Sequence, residues 1–246
     1  MLFEDRTTFE KRQLPWFDGR MPPARRARST HSLPAILEAA VAILDESGEE
    51  ALTFRSLAAR LGGGVGSVYW YVSGKDELLD RATDLVMGEL VVQADRIATG
   101  PNPIANLRAL GLALFEAMTA RRWLAAYLMR SVDMQPNSMR VYEHFGQQVQ
   151  RLDLTSRQRF HAVSAIVSYV VGVGSEMSQG PTGVPDDERA AMMAEYVAAW
   201  RAFDPAEYPF IHEVADEFEH HQDTEQFLAG LDLLLAGVRL QHESAG

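Results

Sequence analysis

From Ser32 onward the chain settles into a helical rhythm. Leu33, Ile36, Leu37, Ala40, Val41 and Leu44 recur at three- and four-residue spacing, with Ser32 placed to cap the helix, Pro34 in its first turn and Gly48 at its end. Thr53 opens a short second helix whose inward residues are Phe54, Leu57, Ala58 and Leu61, and Gly62 to Gly64 break it. A third short element, Val65 to about Tyr71, follows the glycines. The spacing then predicts a long helix over Lys75 to Ala98, with Leu78, Leu79, Ala82, Leu85, Val86 and Val91 on its apolar side. Asn102 and Pro103 read as cap and first residue of a helix to Ala120, and a shorter one spans Trp123 to Arg130. Beyond the loop around Met134 a helix covers Met139 to Leu152, and Thr155 with Gln158 has the form of a capping box. That box opens the most apolar helix, which runs through Phe160, Val163, Ile166, Val170 and Val171 to about Met177. After a Gly- and Pro-containing connection come a helix through Ala190 to Phe203, an acidic and partly irregular stretch to His221, and a last helix over Glu225 to Gln241. In that last helix Phe227, Leu231, Leu234 and Val238 form a face broad enough for bundle packing. No strand alternation and no internal repeat is present, so the expected fold is all-α.

Composition narrows the class. Hydrophobic residues make up 47% and charged residues 23% of 246, the balance of a folded soluble protein. The chain has no cysteine, hence neither disulfide nor thiolate metal cluster, which suits a reducing cytoplasm. No signal peptide is expected at the N-terminus, and no apolar stretch of membrane-span length. The net charge of −11 is unevenly spread: residues 1–75 balance at +1 and the remainder at −12. A small DNA-contacting head on an acidic body has this asymmetry, because only the head approaches phosphates. Residues 1–30, with prolines and the Arg25, Arg26, Arg28 cluster, read as a mobile extension; a DNA-contacting arm and a solvated tail both fit that cluster, and Met21 is an alternative start.

Function is concentrated in Leu52 to Asp80, LTFRSLAARLGGGVGSVYWYVSGKDELLD. Two short helices across a glycine turn, supported by a longer first helix, are the parts of a helix-turn-helix. Three consecutive aromatics, Tyr69, Trp70 and Tyr71, cannot all be buried on one helix face, so some face outward. In residue type and spacing this segment resembles the DNA-binding head of the tetracycline-repressor (TetR) family. The resemblance implies that Val68 and Val72 point inward and that Ser67, Tyr69, Trp70 and Tyr71 approach DNA. It also implies that Lys75 contacts phosphate at the start of the long helix, and that Thr53 and Arg55 clamp phosphate from the helix before. Two departures stand out: Gly63 replaces the branched apolar residue usual in the turn, and the reading helix lacks the Arg, Asn and Gln that make bidentate base contacts. Readout is therefore expected through hydroxyls, thymine methyls and DNA shape.

The resemblance extends, more weakly, to the chain end and implies a division into a head at 31–78 and a helical effector-binding and dimerisation body at 79–246. AVSAIVSYVVGVGSEMSQ and EQFLAGLDLLLAGVRL look like the two helices of a four-helix homodimer interface. Candidate effector-lining residues are Phe115, Met118, Trp123, Tyr127, Met134, Tyr142, Phe145 and Met177, with His144 and Glu176 as polar anchors. The metal-bound tetracycline site does not carry over: Tyr127 and Val91 fall near positions where the family has polar ligands, and only Glu176 is retained. The expected effector is a small apolar or aromatic molecule, released-operator repression the expected mode, and no cofactor or catalytic group is implied. The rival is a helical protein-interaction or metal-binding protein, for which His212, Asp216 and His220, with Glu217 and His221, have metal-ligand spacing along a helix. The H-E-x-x-H pattern is not met there, nor is a nucleophile elbow or phosphate loop found elsewhere.

Overall fold

The structure is a computed structural model and describes residues 31–130, 135–179 and 185–244, Asp186 by its backbone alone. The extension with its arginine cluster, and Met134, lie outside the described residues. Among these, eleven helices and no strand are found: α1 Leu33–Ala51, α2 Phe54–Leu61, α3 Val65–Val68, α4 Lys75–Ala98, α5 Pro103–Ala120, α6 Arg122–Arg130, α7 Pro136–Gln150, α8 Ser156–Ser178, α9 Asp186–Arg201, α10 Pro209–His220 and α11 Asp223–Glu243.

Local chemistry sets the helix starts. The Ser32 side chain accepts from the Ala35 amide, Asn102 from Ile104 and Ala105, and both Thr53 with Ser56 and Thr155 with Gln158 close capping boxes. Gly48, at φ 74, interrupts α1 in the left-handed region, and Gly62, at φ 68, ends α2.

One expectation is corrected and one is refined. The reading element is helical only over Val65–Val68 and does not continue to Tyr71; residues 69–71 are a turn in which the Val68 carbonyl receives the amides of Tyr71 and Val72. The stretch 204–221, expected to be acidic and partly irregular, is non-helical over 204–208 and then forms α10, with Pro209 in the first turn where its missing N–H costs nothing.

One core runs from the head into the body, from Ile36, Leu57 and Val68 through Leu78 and Val86 to Leu107, Phe145, Ile166 and Phe227. α4 leaves the head and packs on α7 and α5; α8 packs on α5, α6, α7 and α11. Buried polar groups lock the helices in register. Asn106 donates to the Gly100 carbonyl and to Gln148 Oε1, both at 2.9 Å, tying α5 to α7. Asp84 receives the Asn137 amide at 2.7 Å and so serves the exposed start of α7 from α4. By length and composition α8 suffices to cross a membrane, counter to the expectation for apolar stretches. Its apolar residues divide between the core, with Val163, Ile166 and Val170, and a surface groove shared with α11.

Candidate nucleic-acid interface and its links to the helical body

The reading turn is built from two buried valines. Val68 and Val72 are sealed in the head core, and this orientation leaves Tyr69 at 60% and Trp70 at 83% exposure. Tyr69 is steadied by an edge-on contact with Phe54, ring centroids 4.6 Å apart; Trp70 stands off the surface. Ser67 is half-buried and its hydroxyl donates to the Gly64 carbonyl at 2.6 Å, which leaves its lone pairs to accept. Tyr71 departs from the expected outward placement: it is packed against the core and its hydroxyl donates to the His31 carbonyl at 2.5 Å.

Arg55 is exposed on α2, beside the cap residue Thr53. Lys75 Nζ donates to the Glu49 carbonyl at 2.7 Å, holding the frayed end of α1 against the start of α4. Gly74 caps α4 without a side chain, so the first amides of that helix present a partial positive charge outward. Beside them the Ser73 amide and hydroxyl both donate to Glu77, at 2.7 and 2.6 Å, and Arg81 pairs with the same carboxylate at 2.6 Å.

These hydrogen bonds, led by the Ser73 hydroxyl and amide, hold the Glu77 carboxyl down from 4.5 to about 2. A carboxyl with a lowered folded-state pKa contributes stability that is complete above the unfolded value and is lost as pH falls toward the folded one. Glu77→Gln therefore melts below the parent at pH 6, and the gap closes between pH 4.5 and pH 2. Melting curves across that range check this; a gap independent of pH contradicts it.

The body touches the head through α6 and through Arg121 at the end of α5. The Trp123 indole N–H donates to Asp45 at 2.6 Å, Arg121 lies 3.4 Å from the same carboxylate, and Arg130 pairs with Glu49. The Tyr127 hydroxyl donates to Asp80 of α4 at 2.5 Å. Trp123 and Tyr127, expected to line an effector pocket, thus put their rings in the core and their polar atoms on the helices that carry the reading turn. Asp45 and Asp80 were missed by sequence reasoning.

Of the other effector candidates, Phe115, Met118 and Phe145 are buried, and Tyr142 and Met177 are packed against the same core. His144 Nε2 faces Asp95 at 3.2 Å while its Nδ1 is buried without a hydrogen-bond partner. The Thr83 hydroxyl is likewise buried and unpaired; a lone threonine in the apolar stripe of α4 was the only signal for it. Glu176 is exposed, because the buried line of α8 passes through Gly174, Ser175 and Ser178 instead.

The acidic histidine segment is committed elsewhere. His212 Nε2 lies 2.8 Å from the Phe203 carbonyl, His220 Nδ1 2.8 Å from that of Asp216, His221 Nδ1 2.6 Å from that of Phe218, and Asp216 pairs with Arg201. Among the described residues no cluster of three potential metal ligands forms.

Comparison with known proteins agrees with this arrangement. Residues 36–82 match the profile of bacterial regulatory proteins of the tetR family, and residues 101–242 that of the tetracyclin repressor-like C-terminal domain. The HTH-type transcriptional repressor DrrR1 of Streptomyces coeruleorubidus is 29% identical over 242 residues, 92% of this chain and 86% of that protein. The transcriptional regulator SCO7222, a TetR from Streptomyces coelicolor, is 36% identical with a TM-score of 0.75 over 86% of this chain and 99% of that one. ActR from Streptomyces coelicolor, in a structure with actinorhodin bound, shares the fold at 21% identity and a TM-score of 0.73, over 88% and 99% of the two chains. With both its helix-turn-helix head and its helical body matched, the chain belongs to the TetR family of DNA-binding transcriptional regulators.

Proposed function

We propose that this chain acts in the cytoplasm as a homodimeric repressor that holds a palindromic operator and lets it go when a small apolar or aromatic molecule enters its helical body. The observation that carries the DNA half is the pair Tyr69 and Trp70, held outward by the buried Val68 and Val72. Ser67, Tyr69 and Trp70 meet base edges, while Thr53, Arg55, Lys75 and the amides at the start of α4 meet phosphates. The working division is a head at 31–78 and a body at 79–246. Tyr71 supports the reading turn from inside.

For the effector, Phe115, Met118, Tyr142, Phe145 and Met177 supply apolar contact, and the unpaired Nδ1 of His144 supports it as the polar anchor. ActR, which shares the fold, is a TetR family protein whose structure holds a small molecule, actinorhodin. Trp123 and Tyr127 bridge the two functions: a ligand that displaces either ring pulls on Asp45 or Asp80 and so on α1 or α4. By linkage, operator DNA weakens effector binding by the same factor that effector weakens DNA binding.

The exposed face of α8 and α11 supports dimerisation through these two helices. Ala162, Ile166, Leu233, Leu234 and Val238 line a groove of about 290 Å³ between them, and Phe160 and Leu240 are exposed on the same two helices. A second copy related by a two-fold axis covers both at once. Leu233 is 77% exposed in one chain, so Leu233→Glu leaves each subunit folded yet buries an uncompensated carboxylate twice in the dimer. Dimer dissociation rises by about 30-fold or more, at roughly 1–3 kcal/mol per copy counted twice. Sedimentation velocity reads this as a dimer turning to monomer at micromolar concentration; a dimer of parent strength places the interface elsewhere.

Selection of duplexes from a random library by the full-length protein, at two salt concentrations, tests the operator reading. A single palindromic consensus with salt-dependent affinity supports it, and recovery of unrelated sequences contradicts it.

A further inference from the structure

The glycine at position 63 has no conformational reason to be a glycine. Among the described glycines only Gly48 and Gly62 have positive φ, so any L-residue suits the backbone of Gly63. Space is the constraint. A Cβ built on Gly63 falls 2.5 Å from Nε2 and 3.2 Å from Cδ2 of His31, so any side chain there must push the imidazole out of its place. The His31 imidazole therefore occupies the volume where residue 63 would otherwise pack, and its Nε2 is buried there without a hydrogen-bond partner.

The same residue is gripped from the far side of the reading turn. Tyr71, immediately after the exposed pair, donates its hydroxyl to the His31 carbonyl at 2.5 Å. The next residue, Ser32, is fixed as the cap of α1 by its bond to the Ala35 amide at 3.3 Å. One residue thus holds both ends of the segment that carries Ser67, Tyr69 and Trp70: its ring fills the entrance turn, and its carbonyl anchors the exit.

We propose that His31 is a positioning residue of the DNA-reading unit, its imidazole replacing the side chain that Gly63 lacks and its carbonyl seating Tyr71, so that the chain before α1 sets the pitch of the reading turn. This rests on the operator reading above. A loosely supported reading group loses discrimination before it loses contact. His31 sets where Tyr69 and Trp70 stand; it does not itself neutralise phosphate.

The test uses the full chain, the duplex that the parent protein selects from a random library, and a scrambled duplex of equal length. His31→Ala lowers affinity for the selected duplex by about tenfold, a loss of roughly 1.4 kcal/mol of positioning. It leaves affinity for the scrambled duplex and the slope of log affinity against log salt unchanged, since no phosphate contact is removed. Gly63→Ala displaces the ring and has an effect of the same kind. The double variant is no worse than either single one, because both changes remove the same contact. Equal losses on both duplexes mark general damage to the head and overturn the proposal. It is also overturned by a salt slope reduced by about one, the sign of a lost phosphate contact, by parent-like discrimination in His31→Ala, or by single effects that multiply in the double variant. If the parent itself selects no duplex, the operator reading fails first.

Discussion

Trp70→Ala lowers operator affinity by at least about tenfold while thermal stability stays within about 0.5 kcal/mol of the parent. The separation of the two effects comes from burial. Trp70 is 83% exposed, so its removal opens no cavity and takes little apolar surface from the core. Its neighbours Val68 and Val72 supply the packing of this turn. An aromatic side chain against bases or thymine methyls contributes about 1–3 kcal/mol, and a dimer loses it in both heads. Tyr69→Ala is less clean, since Tyr69 also packs edge-on against Phe54. Fluorescence anisotropy with a labelled operator, run beside a melting curve, reads both quantities. Unchanged affinity in Trp70→Ala removes the exposed pair from the DNA interface.

The largest loss of stability is expected at the other end of the molecule. Phe227 is fully buried, stacked on Phe115 with centroids 4.0 Å apart and planes 9° from parallel, and flanked by Tyr169 at 5.7 Å. The Tyr169 hydroxyl donates to the Phe227 carbonyl at 2.9 Å. Gly230 admits that ring, since a Cβ there would lie 2.0 Å from the Tyr169 oxygen. Phe227→Ala therefore removes the ring on which α5, α8 and α11 converge, at about 3–5 kcal/mol. Against a total of about 5–15 kcal/mol for a folded domain, this is a large fraction. Urea unfolding of the variant shows it as a midpoint shift with little change in slope. A cost below about 1 kcal/mol contradicts the close packing described. Leu233→Ala, six residues along the same helix and 77% exposed, costs the isolated subunit little by comparison.

Where local chemistry decides, the sequence was legible. Ser32, Thr53, Asn102 and Thr155 cap the helices expected of them. The start of α10 was not legible because proline and acidic residues read as a break, whereas Pro209 starts the helix. In the reading turn, the outward placement of Tyr69 and Trp70 follows from inward Val68 and Val72. That of Tyr71 does not follow, because its partner His31 lies forty residues earlier. Trp123 with Asp45 and Tyr127 with Asp80 are joined across 78 and 47 residues; periodicity finds the buried ring and is blind to the atom at its edge. Glu176 rests on the resemblance to the family's ligand site and not on helix spacing, and it is exposed although Gly174 and Ser175 beside it are buried.

Footprinting of the full-length protein on the selected duplex tests the central claim most directly. A two-fold dimer with Tyr69 and Trp70 at its reading surfaces protects two symmetric half-sites on one face of the helix, with centres one turn, about 34–36 Å, or a multiple of it apart. Protection of a single site without a symmetry mate, or protection that moves freely along the duplex, contradicts it.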